Sequence, residues 1–79
     1  MFPKIDLKET GENIKRLIVQ SGNTIKGVAE YMGFSTPTAV YKWVNGLSLP
    51  TVDNLVALSE LLNVTVEEIL KIKNDKGES

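Results

Sequence analysis

The chain contains no cysteine and no histidine. The missing cysteine excludes disulfides and thiol chemistry, the missing histidine excludes imidazole-based acid/base or triad catalysis, and together they exclude the usual zinc sites. An enzyme built from this sequence would have to work with carboxylates, lysine, tyrosine and hydroxyls. Neither a Gly-rich phosphate loop, nor a metal constellation, nor a nucleophile with a recognisable base is present, so no catalysis and no cofactor are expected. Apolar runs are short, Leu17-Ile18-Val19 among them, and none approaches the roughly 18 residues that span a bilayer. Met1-Phe2-Pro3-Lys4-Ile5-Asp6 lacks the basic start and apolar stretch of a secretory signal, so a cytoplasmic location and no membrane partner are expected.

What is there points to a small folded unit. At 79 residues, 42% apolar and 24% charged, the composition is that of a globular protein rather than a disordered one. Its length suits one domain, and no small-molecule effector domain is expected. Neither sign of charge dominates: the net charge is −1. The distribution is uneven, however, with residues 1–50 at +2 and residues 51–79 at −3. A polyanion would therefore be met by the first part of the chain.

Hydroxyl and amide residues stand where helix N-caps belong, each followed by apolar residues at a period near 3.6, and the pattern predicts five short helices. The first is expected to be capped by Thr10, to bury Ile14, Leu17 and Ile18, and to end at Ser21-Gly22. Thr24 caps a second, which buries Val28, Ala29 and Met32 and stops at Gly33. A third begins between Ser35 and Thr38, with Pro37 suited to its first helical position. It turns Val40, Trp43 and Val44 inward and stops at Asn45-Gly46. After the break at Pro50, Thr51 caps a fourth helix carrying Leu55, Leu58 and Leu62, which ends at Asn63. Thr65 and Glu68 have capping-box spacing and open a fifth that buries Val66, Ile69 and Leu70. Residues 1–9 are expected to form an extended arm, 10–72 the domain, and 73–79 a disordered tail. No strand pairing is expected.

The stretch from Thr24 to Gly46 is the most informative. Two helices meeting through a short turn need a small residue where they approach, a glycine in the turn, and apolar residues fixing both to the rest. Ala29, Gly33, Phe34, Val40 and Trp43 meet those demands. The runs Val28-Ala29-x-x-Met32-Gly33-Phe34-Ser35, Val40-Tyr41-Lys42-Trp43-x-x-Gly46 and Leu49-Pro50-Thr51-Val52-Asp53-Asn54-Leu55 closely resemble the phage lambda repressor and Cro-like family of regulators. That resemblance extends from about Gly11 to Leu70. It implies an all-α, five-helix DNA-binding domain with a helix-turn-helix in helices two and three, acting as a homodimer on palindromic double-stranded DNA. One departure is plain: Phe34 to Ala39, between Gly33 and Val40, is one residue longer than the family pattern.

On this reading Thr36, Thr38, Tyr41 and Lys42 are the candidates for base reading, by hydroxyls, methyl groups and an ammonium that reach the major groove. The added residue leaves open which of Thr36, Pro37 and Thr38 holds the tip of the third helix. Thr24 and Ser35 are candidates for phosphate contact through free helix N–H groups, with Lys26 reinforcing the former. The resemblance adds Asn45 and Ser48 as sugar-phosphate contacts. Each has an ordinary alternative: Thr24, Ser35 and Thr36 as caps, Lys26, Lys42, Lys15 and Arg16 as solvating charges, Tyr41 as core padding. Trp43 reads as core, while Leu47 and Leu49 read either as core edge or as a dimer contact. The competing function is a protein-protein adaptor or antitoxin-like module that uses the same fold with weak DNA binding.

Overall fold

A computed structural model describes residues 4–73. It contains five helices: α1 Leu7–Gln20, α2 Ile25–Met32, α3 Thr38–Val44, α4 Val52–Leu62 and α5 Val66–Ile69. Their inner faces close over one core of Ile14, Ile18, Val28, Ala29, Val40, Trp43, Val44, Leu58, Leu62 and Ile69. Leu17, Met32 and Leu55, expected inside, are half-buried against it, and Val66 and Leu70, also expected inside, are half-buried too.

Capping fixes where most of the helices begin and end. Thr24, Thr51 and Thr65 accept from the N–H groups of Gly27, Asn54 and Glu68, and Glu68 closes a capping box on Thr65; each such cap stabilises by about 1 kcal/mol. The stops share one device. After α1, α2, α3 and α4 a residue of positive φ, namely Gly22, Gly33, Gly46 and Asn63, reverses the chain. The next amide then bonds back to Ile18, Ala29, Lys42 and Ser59 respectively, the double closure that satisfies carbonyls left over at a helix end.

The start of α1 departs from the expectation. Asp6, not Thr10, is its cap, accepting from the Glu9 N–H at 2.9 Å. Residues 7–9, expected in an extended arm, are therefore its first turn. Thr10 is fully buried and works across the molecule: its hydroxyl accepts from the Lys71 N–H at 2.9 Å. A second unexpected feature is strand-like pairing. Ile5 and Ile72 form an antiparallel bridge, with the Asp6 N–H donating to Lys71 O at 2.7 Å and the Lys73 N–H to Lys4 O at 2.8 Å. Lys73, expected in a disordered tail, is thus tied to the start of the chain; residues 1–3 and 74–79 lie outside the described residues.

Two residues of α1 lock it to its neighbours. A Cβ on Gly11 would stand 2.5 Å from Trp43 O and 2.9 Å from both Val44 O and Gly46 N, so only glycine lets α1 approach the end of α3. Asn13 is buried and donates from Nδ2 to the carbonyls of Glu68 and Ile69 at 2.8 and 2.9 Å, satisfying the last turn of α5. Its Oδ1 in turn accepts from Arg16.

Candidate nucleic-acid interface

Helix α3 is divided sharply between an inner and an outer side. Val40, Trp43 and Val44 are buried, and Trp43 meets Phe34 of the preceding turn edge-on at a centroid distance of 5.9 Å. That contact ties the turn to α3, and Ala29 of α2 is buried in the same core. Thr38, Tyr41, Lys42 and Asn45 are all exposed. Spaced by three, one and three positions, they form a single stripe along the outer face, because residues three and four apart stack on a helix. Tyr41 is 50% exposed, which removes the alternative of core padding.

The turn before α3 absorbs the added residue. Gly33, at φ 81°, ends α2, and the helix resumes only at Thr38. Between them Ser35 and Thr36 are exposed bends and Pro37 is the N-cap, not the first helical residue as expected. Thr38 therefore opens the helix. Thr36 folds over it, its hydroxyl donating to Thr38 Oγ1 at 3.1 Å and accepting weakly from the Thr38 N–H at 3.4 Å. Ser35 lies ahead of the helix, so the free N–H groups expected there are absent from that position. Thr24 keeps its expected place at the start of α2, its hydroxyl taken by Gly27, and Lys26 is exposed in that first turn.

Most of the candidates converge. Ser35, Thr36, Thr38, Lys42 and Ser48 line one open concavity of about 490 Å³, floored by Phe34 and Ala39. The molecule thus gathers four hydroxyls and an ammonium from the turn, the helix and the following loop. Asn45 is separated from this group: it closes a second concavity of about 600 Å³, on the α1 side of the stripe. Thr24 and Lys26 line neither. Leu47 is 70% exposed, so a core-edge role is not realised there, whereas Leu49 at 39% keeps most of its surface covered. Two structural supports of the site, Gly11 and Asn13, carry no assignment from sequence. The one visible signal is a glycine placed inside an apolar helical pattern.

Residues 14–69 match the family described as Helix-turn-helix. Among solved structures, the restriction-modification controller protein C.AhdI from Aeromonas hydrophila is similar, with a TM-score of 0.72 and 20% identity over 81% of this chain and 96% of that one. The DNA-binding domain of BldD is similar too, at TM-score 0.69 and 25% identity, covering 84% of this chain and 94% of that one. An S. venezulae BldD DNA-binding domain gives the same score and identity, with 84% and 97% covered. No curated protein matches the sequence. A family match spanning most of the chain, on five helices with an exposed third-helix stripe, makes this protein a member of the helix-turn-helix family of the lambda repressor type.

Proposed function

We propose that the protein is a small transcriptional regulator that binds double-stranded DNA sequence-specifically, with α3 in the major groove. The observation that carries the reading is the outer stripe of α3. Its polar and aromatic side chains serve no part of the core, while the opposite side of the same short helix is wholly buried. A helix anchored that firmly can present donors and acceptors to base edges at fixed positions. In this reading Thr38, Tyr41 and Lys42 face bases, with Thr36 beside them. Thr24, Lys26, Ser35, Asn45 and Ser48 hold the sugar-phosphate chain, which sets orientation rather than sequence preference. The DNA-binding regulators it resembles support this assignment.

Homodimerisation belongs to the same proposal. A seven-residue reading helix spans only one half-site, and useful affinity comes from two copies on half-sites about one helical turn apart. Leu47, Leu49, Val52 and Val56 support it, since they leave an exposed apolar run from the loop after α3 into α4. The proposal includes no catalysis and no cofactor, and it sets the protein's work in the cytoplasm with the DNA. Selection of bound sequences from a random duplex pool at two salt concentrations tests it. A palindromic consensus whose affinity falls steeply with salt is expected, because neutralised phosphates release counterions; failure to enrich any duplex overturns the reading.

A further inference from the structure

Two furrows border the α3 stripe. The furrow on the turn side carries the hydroxyls of Ser35, Thr36, Thr38 and Ser48 with Lys42. The other runs between α1 and the end of α3, and Lys8, Lys15 and Arg16 of α1 line it, opposed by Glu12 alone. Asn45 belongs both to the stripe and to this second furrow, so the two surfaces are continuous. We propose that the α1 furrow is a second phosphate-binding site, in which Lys8 and Lys15 take the backbone of the DNA strand on the side of α3 away from the turn. The proposal rests on the reading of α3 as a major-groove helix.

A helix in a major groove about 12 Å wide stands between two phosphate walls. A stripe bordered by two concavities can meet both walls, provided each concavity offers donors or cations. Lys8, Lys15 and Val19 recur at helical spacing on one side of α1, and the two lysines are separated by seven positions, or about 10 Å along the axis. That spacing lets them meet separate phosphates. Arg16 is engaged within α1, where its guanidinium donates to Asn13 Oδ1 and to Gln20 Oε1, which leaves the lysines as the freer cations. Val19 and Val44 contribute an apolar base to the furrow, the feature that would suit an acidic amphipathic peptide instead. Continuity with the reading stripe through Asn45 favours DNA.

The test uses the duplex selected with the wild-type chain and a scrambled duplex of equal length. Binding is measured across a salt series for the wild type and for a Lys8→Gln/Lys15→Gln double variant, whose exposed sites leave the circular dichroism spectrum unchanged. The double variant is expected to weaken on both duplexes by the same factor. Its slope of log affinity against log salt should flatten by about 1.8, at about 0.9 for each phosphate no longer neutralised, with the selected consensus intact. An unchanged slope and affinity in a wild type that binds DNA overturns the second site and leaves the α3 reading standing. So does an unchanged slope accompanied by saturable, lysine-dependent binding of an amphipathic Glu/Leu peptide. A wild type that binds no duplex overturns both.

Discussion

Lys42 and Trp43 are adjacent in sequence and opposite in role, and substituting each separates reading from folding. Lys42 is exposed at the turn-side concavity, so Lys42→Ala should leave the melting curve in place while weakening the selected operator. If its ammonium meets a base, the loss should be about 1–3 kcal/mol and confined to sequences carrying that base; anisotropy titrations against a panel of single-pair variants check this. Trp43 is 4% exposed and braced by Phe34. Trp43→Ala should cost about 3–5 kcal/mol, comparable with the entire stability of a domain this small, and its far-ultraviolet signal should be largely lost at 37 °C. Asn13 gives a third, intermediate case. Asn13→Ala strands the Glu68 and Ile69 carbonyls and should cost about 1–3 kcal/mol, with hydrogen exchange accelerating first in α5.

At the scale of the helices, the limits of sequence reading follow from distance along the chain. Caps and stops are legible because they are local: Thr24, Thr51 and Thr65 bond to amides three residues on, and Gly22, Gly33, Gly46 and Asn63 act through their own φ. The outer stripe of α3 follows from the same local periodicity. Thr10 reads as a cap only because its true partner, Lys71, lies 61 residues away. Asp6 with Glu9 three positions later is an equally good local start, and helical spacing alone does not choose between them. Gly11 is silent for the same reason, as its constraint comes from the backbone of α3. Gly11→Ala tests that constraint. Better helix propensity contributes about 1 kcal/mol in its favour, but the contact with Trp43 O forces α1 and α3 apart, which typically costs about 1–3 kcal/mol. The expected result is a lower melting temperature together with weaker operator binding, since α3 moves with its support. An Ala variant that is more stable and binds normally would show that the contact yields easily.

For the molecule as a whole, the two ends of the described chain are fastened together. The Ile5–Ile72 bridge, the bonds of Asp6 and Lys73, and the Thr10–Lys71 pair join the entry to α1 with the exit from α5. Beginning the chain at Leu7 would remove the α1 cap and the bridge at once, and thermal denaturation should show a loss of more than the roughly 1 kcal/mol a cap alone supplies. Circular permutation offers the converse experiment. A short glycine-serine joint from residue 73 to residue 4, with new termini cut in the exposed turn at Ser21-Gly22, leaves every core contact available. Such a rewired chain should refold and keep operator recognition, which would make thread order, unlike the seam itself, dispensable to this architecture.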